Sequence, residues 1–176
     1  MKFFRSILLV ISLVSIPLTA IDKQAHIEGK FFSKLSDYRF FKDLTNQIPA
    51  DEVLPYQLQS ELFSDYTYKQ RFVYVPPAMK VEHEKNKVFM FPVGSVLIKT
   101  FSYQNTMSEL SPQLLETRLL IHSEGGWKAV SYIWNEDQTE AYLSLVGGTI
   151  QTSFSDEGGN IRSVRYRAPN KNQCKE

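Results

Sequence analysis

Hydrophobic and polar residues alternate in short runs along most of the chain after residue 70, and turn residues separate the runs. This period of two is typical of antiparallel strands with one buried face. The runs cover residues 72–75, 79–84, 88–91, 96–101, 114–122, 127–135, 141–146, 149–155 and 161–167. About nine strands are enough for two packed sheets or a closed barrel. The pattern therefore predicts a mainly β fold, an antiparallel β-sandwich or barrel-like domain.

Turn residues and strand faces support this prediction. Lys85-Asn86-Lys87 and the glycine pairs after residues 124, 146 and 157 are placed as hairpin turns. In the run over 96–101, side chains on alternate residues point to opposite faces. One face then carries Val96, Ile98 and Thr100, and the other carries Leu97, Lys99 and Phe101.

Before the strands, the periodicity is helical. Tyr38, Phe41 and Leu44 recur at helical spacing and Pro49 follows, which predicts a short helix over 36–47. Residues 48–66 have no clear period, but they contain several large apolar side chains. We expect an irregular segment that wraps on the domain.

The first twenty residues resemble a secretory signal peptide. Lys2 and Arg5 give a basic start, an apolar run covers 7–18, and Ala20 is a small residue before the expected cut. The run is shorter than the roughly 20 residues that span a bilayer. We expect an exported protein, periplasmic or secreted, with no stable membrane span after cleavage; an uncleaved N-terminal anchor is the alternative.

The expected organisation is therefore a signal peptide over 1–20, an N-terminal lead over 21–34, a β-rich domain with a short leading helix over 35–168, and an exposed tail over 169–176. Hydrophobic residues make up 43% and aromatic residues 13% of the chain, enough for a core. The 20 Lys and Arg nearly balance the 19 Asp and Glu, so charge gives no indication of nucleic acid as a partner.

Motifs with a known chemistry are few inside the β domain. His26, His83 and His122 are scattered, and no pair of residues has the short spacing of a metal site. There is no nucleophile elbow or phosphate-binding loop. We expect no metal and no catalytic residues. Aromatic residues of the later strands are interpreted as core or cross-strand pairs rather than a ligand cage: Tyr132, Trp134, Tyr142 and Phe154.

One polar cluster is a candidate site. Glu116, Arg118 and His122 share one face of a predicted strand, and Lys99 lies on a neighbouring strand. Such a set in one cavity could bind an anion or hold a haem propionate. The alternative, which we favour from the sequence, is a solvated face on which Glu116 and Arg118 pair with charges on neighbouring strands.

The end of the sequence contains a partial haem motif. A covalent c-type haem site needs C-x-x-C-H, and Cys174, the only cysteine, is followed by Lys175 and Glu176. The second cysteine and the histidine have no counterpart. A lone thiol near a terminus is by itself usually incidental.

Several strings, in the same order, resemble an exported bacterial family. They are LSDYRFF from Leu35, LPY from Leu54, ELFSDY from Glu61, KQRFVYVP from Lys69, FPVGSVLIKTF from Phe91, LLETRLLIH from Leu114, GWKA from Gly126 and WNE from Trp134. The family consists of hypothetical or diheme c-type cytochrome proteins in which a β domain precedes the first haem motif. A more distant likeness links the chain to the β-rich cytochrome P460 proteins.

The resemblance implies that Cys174 matches the first haem-bonding cysteine, and that full-length relatives carry haem c and exchange electrons with redox partners of the cell envelope. As written, the chain would hold no cofactor by itself, because the motif is cut. An enzymatic, P460-like activity would need the haem and an acid–base group, for which His122 and Glu116 are the candidates.

Two hypotheses remain. The chain is the N-terminal domain of a c-type cytochrome-like electron-transfer protein, or it is a haemless secreted β-sandwich that acts as a binding or structural module. The cut is natural, a frameshift or a cloning boundary. From about Ala168 onward we expect the chain to leave the sheet and to be exposed.

Overall fold

The computed structural model describes residues 20–60, 62–64, 66–104, 106, 112–156, 158–170 and 173. Within them the fold is mainly β, with one short α-helix, a 3₁₀ turn at Ser36–Tyr38 and ten strands. The elements are α1 (Lys23–Glu28), β1 (Phe41–Asp43), β2 (Ile48–Pro49), β3 (Val53–Pro55), β4 (Tyr68–Tyr74), β5 (Val96–Tyr103), β6 (Gln113–Ser123), β7 (Gly126–Trp134), β8 (Ala141–Ser144), β9 (Gly148–Ser155) and β10 (Ile161–Ala168).

Six strands form one antiparallel sheet in the order β3-β4-β5-β6-β7-β8, so each strand pairs with its neighbour in the sequence. The sheet is open, with β3 and β8 at its edges. Two separate antiparallel pairs, β1-β2 and β9-β10, complete the fold. The predicted mainly β, antiparallel, sandwich-like architecture is confirmed.

The first face of the sheet carries the larger core. The N-terminal segment covers it, and Leu35, Tyr38 and Phe40 are at most 1% exposed. Their partners on the sheet are the inward residues of β4 to β7, among them Phe72, Tyr74, Val96, Ile98, Leu119, Ile121, Val130, Tyr132 and Trp134. Val96 and Ile98 therefore face this core, as the alternation predicts, and residues 21–44 belong to the packed body of the domain.

The predicted helix over 36–47 is wrong. The helical conformation ends at Arg39, whose φ is 59°, and strand β1 follows it. Tyr38 and Phe40 are both buried, and their rings stack with centroids 5.2 Å apart. Arg39 between them adopts the left-handed conformation, so the chain turns out of the helix here and both rings reach the core. The observed helix α1 lies earlier, where the Asp22 side chain accepts a hydrogen bond from the Ala25 amide at 3.1 Å and Gly29 ends the helix at φ 66°.

The second face of the sheet is covered at one end by the β9-β10 hairpin. A smaller core lies between the two layers and contains Phe101, Tyr103, Leu115, Phe154, Tyr166 and Ala168. Of the aromatic residues assigned to the core or to cross-strand pairs, Tyr132, Trp134 and Phe154 are buried, whereas Tyr142 lies on edge strand β8 and is 46% exposed.

Predicted strands over 79–84 and 88–91 are not formed. This segment makes a single antiparallel bridge, between Glu82 and Met90, with the expected turn at Asn86. Val88 and Phe89 are exposed, so no neighbouring layer stabilises an extended pair here.

Candidate functional site

Strands β4 to β7 arrange the second-face side chains in rows across the sheet. The pairing register places Arg71 opposite Lys99, Lys99 opposite Arg118, and Arg118 opposite Ser131. We call these four residues the cationic row. The row on one side of it is apolar and consists of Val73, Leu97, Leu120 and Ala129. The row on the other side consists of Lys69, Phe101, Glu116 and Ile133, next to the β9-β10 hairpin.

Glu116 is fully buried and receives four hydrogen bonds. Arg118 donates from Nε to Oε1 at 2.8 Å and from Nη2 to Oε2 at 2.9 Å. The Ser131 hydroxyl donates to Oε1 at 2.6 Å and the Tyr166 hydroxyl to Oε2 at 2.5 Å. Such a carboxylate is a charge-paired structural anchor that fixes the Arg118 guanidinium.

This geometry corrects the solvated face that we favoured from the sequence. Glu116 is 0% exposed, and its cationic partner is Arg118, two residues along the same strand, rather than a charge on a neighbouring strand. The hairpin that supplies Tyr166 is the reason, because it closes this end of the face. Burial, and then the charge of Glu116, raise the pKa of the Tyr166 hydroxyl, which keeps it protonated as a donor.

Lys99 lies in the middle of the cationic row and is half-buried. Its Nζ is 4.6 Å from the centroid of the Phe101 ring, and Arg118 Cζ is 4.4 Å from the same centroid. Within the described residues, its ammonium group makes no hydrogen bond or ion pair. Burial lowers the pKa of Lys99, and the charges of Arg118, Arg71 and Lys69 lower it further, against a smaller opposing effect of Glu116.

A cavity of about 370 Å³ opens over this part of the face. Lys99 and Arg118 line its cationic side. Leu97, Leu120 and Ala129 line its apolar side. Tyr56 and Gln173 also border the cavity. Positive charge and apolar surface thus meet in one small site, which is the common design of small-molecule sites.

Sequence reasoning missed two further cations on the second face of the sheet. Lys69 and Arg71 are only 8% and 6% exposed. Lys69 Nζ donates to the Leu62 carbonyl at 2.8 Å, and Arg71 Nη1 donates to the Lys69 carbonyl at 3.4 Å. The predicted strand began at residue 72, because Lys69, Gln70 and Arg71 are three polar residues in a row, whereas strand β4 begins at Tyr68. Extending it would have placed both cations on the Lys99 face.

His122 lies apart from the other predicted site residues. Its Nδ1 is 2.8 Å from the Phe91 carbonyl oxygen, and its ring stacks on Trp127 with centroids 4.5 Å apart. It is four residues from Arg118 on the same strand, about 13 Å along the chain, with Leu120 between them. The structure therefore brings Lys99, Glu116 and Arg118 together and places His122 elsewhere. The carboxylate of Glu116 is occupied by its hydrogen-bond donors, and His122 lies away from the cavity. Neither residue is therefore placed for acid–base chemistry in the cavity.

Of the described C-terminal residues, Gln173 borders this cavity. Strand β10 continues through Ala168, which is 3% exposed, and the chain leaves the sheet after this residue. Asn170 and Gln173 form two hydrogen bonds with each other. The backbone N–H of Asn170 donates to the side-chain oxygen of Gln173 at 3.1 Å, and the backbone N–H of Gln173 donates to the side-chain oxygen of Asn170 at 3.0 Å. Pro169 and Asn170 are half-buried and Gln173 is exposed. Cys174 and the signal-like residues 1–19 lie outside the described residues.

In the described part of the chain, no group of three or more His, Cys, Asp or Glu residues is arranged to hold a metal ion. No helix there has the length and hydrophobicity needed to cross a bilayer.

Comparison with known proteins does not identify the chain. No family model, no curated protein and no solved structure matches it.

Proposed function

We propose that this chain is the N-terminal β domain of an exported, c-type cytochrome-like electron-transfer protein, with the haem motif beginning at Cys174. The observation that carries the proposal is the position of Gln173 on the rim of the cavity that Lys99 and Arg118 line. Cys174 follows it directly, and adjacent Cα atoms are about 3.8 Å apart. A group bonded to that thiol would be held against the β domain.

The chemistry of the cavity fits an edge of a haem. The macrocycle is apolar and carries two propionate carboxylates, and the cavity offers Leu97, Leu120 and Ala129 beside Lys99 and Arg118. A cavity of about 370 Å³ would take an edge of the group rather than enclose it. When bound, the haem supplies one-electron redox chemistry. This chain's own residues would bind its carboxylates, orient it and shield one side from water.

The test begins with the coding DNA beyond the codon for Glu176. We expect a cysteine and a histidine to follow directly, in frame or after a corrected frameshift. The longer chain, exported in a host that attaches c-type haem, should then give a Soret band and a haem-stained band on a denaturing gel. Cys174→Ala should abolish the product in which the haem is bonded to two cysteines. Lys80→Met, which changes an exposed lysine and no cysteine, should leave that product intact. Unrelated sequence, or no covalent haem in the longer chain, would overturn the proposal.

A second candidate is a haemless secreted β-sandwich that binds a small ligand. The half-buried Lys99 ammonium favours it, because this cation faces a cavity whether or not a haem is present. The same sequencing experiment separates the two candidates: a stop codon directly after Glu176 would support the binding module.

A further inference from the structure

We propose that Lys99 anchors a binding site for a carboxylate carried on an apolar body, with the carboxylate at the cationic row and the body on the apolar row. The carboxylate has two possible sources, a haem propionate or a free amphipathic acid. In the first case the inference rests on the proposed function and deepens it; in the second it does not require it.

Lys99 lies between like charges. The register places cationic side chains, Arg71 and Arg118, directly opposite it on both neighbouring strands. Like charges in directly opposed positions are unfavourable, so this arrangement has a cost in the absence of an anion.

The buried carboxylate of Glu116 offsets only part of that cost. Both oxygens of Glu116 accept hydrogen bonds from Arg118, Ser131 and Tyr166. Lys99 instead lies over the Phe101 ring, and its ammonium has donors to spare among the described residues. Its half-buried position strengthens its attraction for an anion relative to an exposed lysine.

The shape and polarity of the cavity favour a ligand that has an apolar body. The apolar row, with Leu97 opposite Leu120 and Leu120 opposite Ala129, adjoins the cationic row within the same cavity. A small inorganic anion would leave this apolar surface wet. The Arg118 fork is directed to Glu116, which leaves one ammonium as the principal donor and favours a singly charged head group. The volume of about 370 Å³ lies near the lower end for small-molecule sites.

The test uses paired probes that differ only in the carboxylate. Octanoate and octanol are titrated into the chain at low ionic strength and followed by calorimetry. Octanoate should bind at least about tenfold more tightly than octanol, the effect of one hydrogen bond to a charged group. Lys99→Met should remove that preference, Lys99→Arg should keep most of it, and Lys80→Met, which changes an exposed lysine, should leave it unchanged.

A second pair of probes distinguishes the source of the carboxylate. Iron(III) protoporphyrin IX and its dimethyl ester differ only in whether the propionates carry charge. A Lys99-dependent preference for the free acid of the porphyrin, stronger than the one for octanoate, assigns the site to a propionate. A preference confined to octanoate assigns it to a free acid. Equal binding of charged and neutral members in both pairs, or a preference that survives Lys99→Met, overturns the inference.

A spectroscopic readout separates binding by Lys99 from a structural role. Carbon-13 labelling of the lysine side chains lets the pKa of Lys99 be followed by NMR, with assignment from the Lys99→Arg spectrum. The probe that binds should raise this pKa, and an unchanged value at saturation contradicts the inference. Covalent haem in the longer chain, with no Lys99-dependent binding of either acid probe, would reject this inference alone, and Lys99-dependent binding without covalent haem would reject the electron-transfer proposal alone.

Discussion

His26 on the first face of the central sheet and Glu116 on the second are both fully buried, and they are accommodated in opposite ways. On the first face, His26 of α1 is 0% exposed, and neither ring nitrogen makes a hydrogen bond of normal geometry among the described residues. On the second face, Glu116 is equally buried but receives four hydrogen bonds. The buried group of the first face, the His26 imidazole, is therefore neutral, whereas the buried group of the second face, the Glu116 carboxylate, is charged and paired.

The surroundings of each group explain the difference. His26 packs among the rings of Tyr38, Phe40 and Tyr74, with centroids 5.3 to 5.7 Å away. Burial in this aromatic box lowers the pKa of His26 to about 4, against smaller opposing effects of Asp22 and the Gly94 backbone. The Glu116 face instead supplies donors from two neighbouring layers. An apolar face tolerates a titratable group only in its neutral form, whereas a polar face can keep a buried charge and use it to position another.

The largest expected effect comes from breaking the paired charge. Arg118→Met leaves the fully buried carboxylate of Glu116 without its cation, which should lower the free energy of unfolding by about 3–5 kcal/mol. Urea unfolding followed by the fluorescence of Trp134, which is 5% exposed, measures the loss. A loss below about 1 kcal/mol would mean that the pair is not a buried charge anchor.

The matched control removes both charges. Glu116→Leu combined with Arg118→Met replaces the pair with apolar side chains, and such replacements are often nearly neutral. We expect the double variant to be clearly more stable than Arg118→Met alone. Equal instability of the two would attribute the loss to packing of the arginine stem instead.

On the first face, acidification should lower the free energy of unfolding instead. The pKa of His26 is about 4 in the folded state against 6.5 in the unfolded state, so between these values the unfolded state binds more protons. The stability contribution is fully present above pH 6.5 and is lost as the pH falls towards 4, by about 3 kcal/mol in total. His26→Phe should remove this slope from unfolding curves measured across that range.

A second histidine serves as the control for that slope. His83 lies in the exposed loop around the Glu82–Met90 bridge, so His83→Gln should keep the acid slope of the parent chain. The interpretation of His26 would be wrong if its variant retained the full slope, or if His83→Gln lost it.

Tyr166→Phe is a smaller perturbation of the second face. It removes one donor from Glu116, the hydroxyl at 2.5 Å, and leaves the Arg118 and Ser131 bonds in place. A hydrogen bond to a charged group contributes about 2 kcal/mol, and we expect a loss of that order in chemical denaturation. Tyr142→Phe, on the exposed edge strand, should change stability by less than about 0.5 kcal/mol. Equal losses would show that the Tyr166 bond has no special role.

The fold was largely predictable because the strands follow a simple period. Each of the five runs from residue 114 onward corresponds to an observed strand, with ends that differ by a few residues at most. The failures have local causes. The segment with Tyr38 and Phe40 mixes a period of two with helical spacing, and only burial against Tyr74 and Tyr132 decides between them.

The candidate site was only partly predictable. The alternation of side chains along a strand predicted that Glu116, Arg118 and His122 lie on one face. It does not show that His122 is too far along the strand to share a site with the other two. Nor does a single strand reveal which part of the face the β9-β10 hairpin covers, and that hairpin is why Glu116 is buried while Lys99 remains beside a cavity. The role of Cys174 stays a prediction, since that residue lies outside the described part of the chain.

The smallest expected effect has the opposite sign. If Lys99 is held in place for a ligand, removing its charge relieves repulsion from Arg71 and Arg118, so Lys99→Met should stabilise the ligand-free chain by roughly 0.2–1 kcal/mol. Lys80→Met, which changes an exposed lysine, should leave stability unchanged in the same urea experiment. Stabilisation with simultaneous loss of octanoate preference would show that this cation costs stability and serves binding. Destabilisation by Lys99→Met would instead make Lys99 a packing residue, and the second face would then be a structural anchor like the Glu116 cluster beside it.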